Sequence, residues 1–277
     1  MWSKLKVRLL SAIVGIIAVV GITVWAPAKG FHAVVAVISF LILHELLAAL
    51  KVEKKWPVSV LVYAFAAALL FMPVLDVAIQ QKMFTCLPVT YLLLLFASAI
   101  VFNARVQFSD VTAGFFAPMY AVLFPLYLSY IRMEEHGVAL IFLAFVGAWI
   151  PDTFAYFAGN LFGKRKLIPS ISPNKTVAGA VGAVVGGVVV FFVYGLVVSF
   201  GFGYGVHYLP LLVLGLLCGV FAQFGDLSAS LIKRACQAKD FGNLIPGHGG
   251  MMDRVDSLIF IAPIIYYFLQ LFEVIYK

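Results

Sequence analysis

Asp226 and the basic residues that follow it could do chemistry inside an apolar segment. Ser230, Lys233 and Arg234 follow Asp226 at i+4, i+7 and i+8, and on a helix these positions share one face. A charge within a membrane costs about 2.5–3.5 kcal/mol on insertion scales, so each such residue is a functional candidate. A pair between Asp226 and Lys233, two turns apart, would be stretched. We therefore expect a second partner for Asp226.

A glycine turn followed by two carboxylates forms a second candidate element. Residues 246–250 read Pro-Gly-His-Gly-Gly, and Asp253, Arg254 and Asp256 follow. Glycines let backbone N–H groups approach a ligand closely, and carboxylates at i and i+3 beside them suit a hard cation such as Mg²⁺. Helix capping is the alternative role for Asp253. His248 is either a structural turn residue or a hydrogen-bond partner of a phosphate or a ligand carboxylate.

A third element combines a polar helix face with a basic loop. Asp152, Tyr156 and Asn160 recur at i, i+4 and i+8, again on one face. Lys175 precedes an apolar helix, where a cation is unfavourable unless an anion lies beside it, so we expect a phosphate ligand there. The spacing is not that of a P-loop, and residues 164–166 alone could be a basic stop-transfer cluster. Carboxylates, Mg²⁺ and Lys or Arg together are the equipment of phosphoryl or nucleotidyl transfer.

The elements that must position these residues are membrane helices. Hydrophobic residues make up 64% of the 277 residues and charged ones 11%, against about 45–50% and 25% in soluble domains. Continuous apolar runs near 20 residues predict an all-α, polytopic bundle of about nine transmembrane helices rather than a barrel. The predicted spans are 9–26, 31–50, 57–74, 86–103, 113–131, 138–158, 177–200, 208–234 and 255–276.

The charge distribution predicts one orientation. With the N-terminus inside and the C-terminus outside, 15 of the 19 Lys and Arg residues lie in cytoplasmic segments. The polar loops 159–176 and 235–254 then face the cytoplasm together. We expect one membrane domain over residues 1–277, with N-terminal spans in 1–135 and catalytic spans in 138–277.

Three further features indicate partners. The net charge of +7 is explained by basic cytoplasmic loops, so we expect no nucleic-acid partner. Cys86, Cys218 and Cys236 form no metal-binding spacing and are expected to be apolar fillers. Gly182 and Gly186 form a small-residue pair that more often packs helices within a subunit, although it leaves a homodimer open.

Residues 230–256 resemble the signature of the phosphatidate cytidylyltransferases, also called CDP-diacylglycerol synthases. The upstream Asp152-x-x-Ala-Tyr and Ser172-Pro-x-Lys-Thr stretches are similar to a second block of that family. The matching signature positions are Ser230-Leu231-Ile232-Lys233-Arg234, Lys239-Asp240, Gly242, Pro246, His248-Gly249-Gly250, Asp253-Arg254 and Asp256.

The resemblance implies transfer of the cytidylyl group of CTP to phosphatidate, giving CDP-diacylglycerol and diphosphate, by a multi-pass enzyme of the cell membrane with its active site facing the cytoplasm. It implies Mg²⁺, with room for a second cation, held by Asp226, Asp253 and Asp256. The implied catalytic residues are Asp226, Lys233, Arg234, Lys239, His248, Asp253 and Asp256. The implied substrate-binding residues are Asp152, Tyr156, Ser172, Lys175, Ser230, Gly249, Gly250 and Arg254.

One position departs from the family pattern, and two other functions are alternatives to the cytidylyl transfer. Ala178 stands before Gly179 where the family usually has Glu, which puts any role of that carboxylate in doubt. A secondary transporter or cation channel could use Asp152 and Asp226 as relays, but a relay needs no glycine cradle. The motif of the CDP-alcohol phosphotransferases does not fit.

Glu45, in the second span beside His44, stands apart from the other acidic residues.

Overall fold

The structure, a computed structural model, describes the backbone of residues 2–244 and 249–277, and the side chains from residue 13 onward within those ranges. Within this part of the chain, helices dominate, with two short antiparallel strand pairs: one is a hairpin, and the other joins strands far apart in sequence. The helices are α1 (Trp2–Trp25), α2 (Ala28–Ala49), α3 (Trp56–Phe71), α4 (Val77–Val101), α5 (Phe108–Pro118), α6 (Phe124–Met133), α7 (Gly137–Phe162), α8 (Val177–Leu196), α9 (Tyr208–Ala235) and α10 (Met252–Leu271). The strands are β1 (Lys166–Ile168), β2 (Ser172–Thr176), β3 (Gly205–Val206) and β4 (Ile275–Tyr276).

The predicted all-α, multi-pass membrane fold is confirmed. Among the described residues, 8 helical segments are long and apolar enough to cross a membrane, and they correspond to the second to ninth predicted spans. One of these segments joins α5 to α6 through a π-helical turn at Met119–Leu123. The first predicted span coincides with α1, whose described apolar part is Ile13–Trp25.

Several predicted boundaries differ from the structure by a few residues, and two of them have a clear structural reason. The fourth helix begins at Val77 rather than residue 86, because a helix continues through the polar residues 80–82 that hydropathy excludes. The ninth predicted span ends at Leu271, and the last residues form β4, which pairs with β3 through Val206 and Ile275. Hydropathy therefore located the spans better than it located their ends.

The chain divides into two compact units. The first comprises Met1–Ser129 and Ala238–Arg254, and the second comprises Tyr130–Gln237 and Val255–Lys277. The described part of the 235–254 loop therefore groups mainly with the N-terminal helices, although we expected it with the catalytic spans. That the whole chain acts as one membrane domain stays a prediction.

Polar side chains tie the apolar helices of the first unit together. The buried His32 ring contacts the carbonyl oxygen of Leu70 and the hydroxyl of Ser129, each at 2.9 Å. The Tyr91 hydroxyl donates to the carbonyl oxygen of Gly114 at 2.7 Å. Such bonds satisfy polar groups that lipid and apolar side chains cannot.

Small residues let α7, α8 and α9 pack closely in the second unit. A Cβ on Gly182 would collide with Ala158, and a Cβ on Gly186 would collide with Phe154. A Cβ on Gly215 would lie 2.7 Å from the carbonyl oxygen of Gly187. The Gly182 and Gly186 pair thus packs α8 against α7 within the subunit, as predicted. A homodimer stays a prediction.

Candidate active site

Lys175 and Asp226 form the closest ion pair of opposite charge in the described part of the second unit. The Lys175 Nζ lies 2.6 Å from Asp226 Oδ2, and both side chains are partly exposed. Lys175 Nζ also lies 3.5 Å from the carbonyl oxygen of Gln223, one turn earlier on α9. The predicted second partner of Asp226 is therefore Lys175. The anion expected beside Lys175 is, in this structure, the carboxylate of Asp226.

The pair opens into a cavity of about 630 Å³ within the second unit. Four predicted substrate-site or metal-site residues line the cavity together, from three different elements: Asp152, Tyr156, Lys175 and Asp226. Backbone and side chains of α7, the β1–β2 hairpin, α8 and α9 complete its wall. Residues separated by more than 70 positions in sequence are thus brought to one partly enclosed polar site.

Asp256 adds a third acidic group near this cavity. The carboxylates of Asp226 and Asp152 lie close enough to repel its charge, and Lys233 lies close enough to attract it. Ser257, the next residue of α10, donates its hydroxyl to Asp152 Oδ2 at 3.3 Å. The second unit therefore gathers three carboxylates with two lysines, the balance of charge expected of a site for a metal-bound polyphosphate.

The β1–β2 hairpin and a capped helix start position Lys175. Thr176 is the N-cap of α8, and its Oγ1 accepts a hydrogen bond from the Gly179 N–H at 3.1 Å. Thr176 also pairs with Lys166 across the hairpin. Because Lys175 precedes this cap on β2, its backbone is held from both sides. Gly163 is required beside the cap, since a Cβ there would lie 2.8 Å from Thr176 Oγ1.

Gln223 is a cavity-lining residue that the sequence analysis missed. Its side-chain amide donates to the carbonyl oxygens of Ala180 at 3.2 Å and Gly219 at 2.7 Å, which links α9 to α8. Gln223 lies three residues before Asp226 and so on the same helical face. Extending that face toward the N-terminus of α9 would have identified it.

Besides Asp256, four predicted residues of the second unit lie outside the described cavity wall: Ser172, Ser230, Lys233 and Arg234. Arg234 instead donates from Nε to the carbonyl oxygen of Ile171 at 3.4 Å, so it tethers α9 to the β1–β2 turn. The positive charge of Lys233 attracts the carboxylate of Asp256. Ala178, in the first turn of α8, is also outside that wall. Direct roles for the four residues in catalysis or substrate binding stay predictions.

The remaining predicted residues belong to the first unit or to its loop. Asp253 Oδ2 accepts hydrogen bonds from the Phe241 N–H at 3.0 Å and the Gly250 N–H at 3.1 Å. Asp253 thus holds the loop, a role distinct from both the helix capping and the metal binding predicted for it, and those two roles stay predictions. Lys239 and Arg254 are exposed, and Gly249 has a φ of 85°. His248 lies outside the described residues.

The donor chemistry of the acidic groups fits a hard divalent cation. Asp152, Asp226 and Asp256 offer carboxylate oxygens, which Mg²⁺ prefers. Across residues 13–244 and 249–277, however, no three His, Cys, Asp or Glu side chains are already arranged to hold a metal ion. One carboxylate oxygen of Asp226 is instead paired with the ammonium group of Lys175. The binding of Mg²⁺, and of any second cation, by these carboxylates therefore stays a proposal.

Comparison with known proteins gives the family. Residues 6–272 match the model of the Cytidylyltransferase family. The chain is 38% identical over 182 residues to the phosphatidate cytidylyltransferase of Bacillus subtilis, covering 65% of this chain and 66% of that protein. It is 44% identical over 165 residues to the Brucella abortus protein of the same name, covering 58% and 57%.

A third relative extends the match slightly. The phosphatidate cytidylyltransferase of Thermotoga maritima is 33% identical over 198 residues, covering 67% of this chain and 71% of that protein. The matches to the Bacillus and Brucella proteins span less than two thirds of those relatives' lengths. The family match covers all of the helices that carry the cavity and the acidic groups. The chain therefore belongs to the cytidylyltransferase family.

Proposed function

We propose that this protein transfers the cytidylyl group of CTP to phosphatidate, giving CDP-diacylglycerol and diphosphate. The observation that carries the proposal is the pair between Lys175 Nζ and Asp226 Oδ2, at 2.6 Å, on the wall of a 630 Å³ cavity that Asp152 also lines. The family match and the names of the relatives support the same reaction. No described contact favours the transporter or channel alternative.

The reaction requires two anions to approach each other. An oxygen of the phosphatidate phosphate forms a bond to the α-phosphorus of CTP, and the bond from that phosphorus to the β-phosphate bridging oxygen breaks. The electron pair leaves with diphosphate. A phosphomonoester has a second pKa near 6, so the attacking oxygen is already ionised near neutral pH and no general base is needed.

The chain's own residues would bind and orient the two phosphates. Lys175 would share its charge between Asp226 and a phosphate oxygen, and Lys233 would offset the carboxylate of Asp256. Mg²⁺, when bound, would supply positive charge to neutralise the triphosphate. Asp152, Asp226 and Asp256 are the residues that would hold it, and the contribution of Asp253 to the site remains the sequence-based prediction.

The cavity also has a face suited to a lipid substrate. Tyr156, which lines it, is 69% exposed, and the neighbouring Phe157 and Leu161 on α7 are exposed as well. In a membrane, exposed apolar side chains on a spanning helix face acyl chains. Phosphatidate could therefore present its phosphate to the cavity while its acyl chains stay in the bilayer.

A reconstituted assay tests the function. Purified protein in phosphatidate-containing liposomes, given CTP and Mg²⁺, should form CDP-diacylglycerol, measured by mass, and release an equal amount of diphosphate. Omitting phosphatidate or chelating the divalent cation should stop both. Absence of the cytidine-linked lipid from an intact, folded preparation contradicts the proposal, and a proton or cation flux in the same liposomes would support the transporter instead.

We further propose that the cavity opens to the cytoplasm and that the protein is in the cell membrane. The support is the predicted charge bias, which places 159–176 inside and 201–207 outside. In a variant without Cys86, Cys218 and Cys236, we expect Asn174→Cys to be labelled by an impermeant thiol reagent only from the cytoplasmic side. Phe202→Cys, at a 71% exposed residue, should be labelled only from the opposite side. Labelling of both from one side would contradict this orientation.

A further inference from the structure

Glu45 of α2 binds the start of α10 with both of its carboxylate oxygens. Its Oε1 accepts a hydrogen bond from the Met251 N–H and its Oε2 accepts one from the Met252 N–H, each at 2.9 Å. Glu45 is only 8% exposed. The first N–H groups of a helix lack partners within the helix and carry a partial positive charge, so a carboxylate there is stabilising. Glu45 thus caps α10 from a helix some 200 residues earlier.

Two glycines of the loop are shaped around this carboxylate. A Cβ on Gly250 would lie 2.5 Å from Glu45 Oε2, and a Cβ on Gly242 would lie 2.6 Å from Glu45 Oε1. Real Cβ atoms do not approach oxygen this closely, so any side chain at either position would displace the carboxylate. From its sequence, the glycine turn was expected to be a ligand cradle. In the structure, Gly242 and Gly250 make room for Glu45.

Asp253 holds the same loop from the helix itself. Its Oδ2 accepts from the N–H groups of Phe241 and Gly250, so the segment around residue 250 is fixed by two carboxylates. A Cβ on Gly249, whose φ is 85°, would lie 3.0 Å from Asp253 Oδ2. The carboxylates of Glu45 and Asp253 therefore both hold the backbone near residue 250. Several residues that match the family signature lie in or beside this short segment.

We infer that Glu45 is a positioning residue for the proposed cytidylyl transfer, which sets the backbone at residues 249–251 and the first turn of α10. Its carboxylate fixes the direction in which α10 begins, and hence the placement of Asp253, the second residue of that helix. The catalytic consequence rests on the proposed function, whereas the contact of Glu45 with the loop does not. Glutamine cannot replace glutamate here, because its NH₂ group would face one of the two N–H donors.

Amide hydrogen exchange tests the contact directly. In purified Glu45→Gln, we expect peptides containing the Met251 and Met252 amides to exchange at least about tenfold faster, the loss expected when a charged hydrogen bond is removed. Peptides from α8 and α9 should be unchanged. Glu53→Gln, a matched change in the same unit at a residue with no described hydrogen bond to the loop, should leave exchange at 251–252 unaltered. Unaltered exchange in Glu45→Gln overturns the inference.

The kinetic readout separates positioning from general stabilisation. Glu45→Gln should lower kcat about 10- to 100-fold, while its melting temperature stays within a few degrees of wild type. Glu45→Asp keeps two acceptor oxygens on a shorter stem and should recover part of kcat. Equal losses in both variants, in proportion to lost melting temperature, would show a merely structural role and overturn the inference.

A glycine variant gives an independent test that leaves Glu45 in place. Gly250→Ala should show the same faster exchange at 251–252 and the same loss of kcat, because its methyl group would collide with Glu45 Oε2 and displace the carboxylate. Wild-type behaviour of Gly250→Ala overturns the inference. If wild-type protein forms no CDP-diacylglycerol, the proposed function fails, and the exchange measurements still decide whether Glu45 holds the loop.

Discussion

Replacing Lys175 with alanine is expected to lower kcat/KM for CTP by about 10²–10³-fold, the usual cost of removing one charge-stabilising donor from a phosphate or oxyanion site. The variant removes the cation 2.6 Å from Asp226 Oδ2, so it leaves that carboxylate unneutralised where CTP must bring further negative charge. The measurement is steady-state formation of CDP-diacylglycerol with CTP varied at saturating phosphatidate.

Two companion variants define what the loss means. Lys175→Arg should recover only part of the activity, because a planar fork does not reproduce the position of an ammonium point charge. Lys164→Ala, in the exposed basic run before β1, removes the same charge outside the described cavity wall and should stay near wild type. Similar losses in Lys164→Ala and Lys175→Ala would mean that general surface charge, rather than the pair, attracts CTP.

A double-mutant cycle tests whether Lys175 and Asp226 act as one unit. Asp226→Asn alone should also abolish most turnover, and the double variant should be no worse than the poorer single variant, since each single change already breaks the pair. Additive losses would show that the two residues act on separate steps. Additive losses would also indicate that Asp226 contributes to turnover through its proposed metal binding rather than through its ion pair with Lys175.

The helices were predictable because lipid imposes a simple rule on sequence. A spanning segment must satisfy its backbone internally and present apolar side chains, so hydropathy alone located the helices. The ends were less predictable, because residues such as Gln80 and Lys82 can extend a helix beyond the apolar run. The β1–β2 hairpin carries no hydropathy signal, although it is what holds Lys175.

The candidate site was partly predictable for a related reason. Periodicity placed Asp152 with Tyr156, and Asp226 with Ser230, because each pair shares one helix and therefore one face. It could not pair Lys175 with Asp226, which are brought together only by the packing of α8 against α9. The role of Glu45, an acidic residue noted in the second span, was not predictable for the same reason. Its partners are backbone N–H groups, which every residue except proline has, so no side-chain pattern marks them.

Asp256 and Asp253, three residues apart on α10, are expected to fail in different ways when changed to asparagine. Asp256→Asn should lower turnover at least about 10³-fold while the protein still folds, because it keeps the side-chain shape but removes one of the carboxylates proposed to hold Mg²⁺, whose positive charge would neutralise the triphosphate. Asp76→Asn, at an exposed residue that makes no described capping bond to α4, is the matched control and should retain full activity.

Asp253→Asn should also lower turnover, and it should in addition speed amide exchange in the loop, which Asp256→Asn should not do. The neutral amide weakens the bonds from the N–H groups of Phe241 and Gly250, so amide exchange at residues 241 and 250 should quicken by about tenfold. If excess Mg²⁺ restores Asp253→Asn and exchange is unchanged, Asp253 is a metal ligand rather than a loop anchor. If turnover of Asp256→Asn stays near wild type at saturating Mg²⁺ and CTP, the carboxylates of the second unit are not the catalytic acidic cluster.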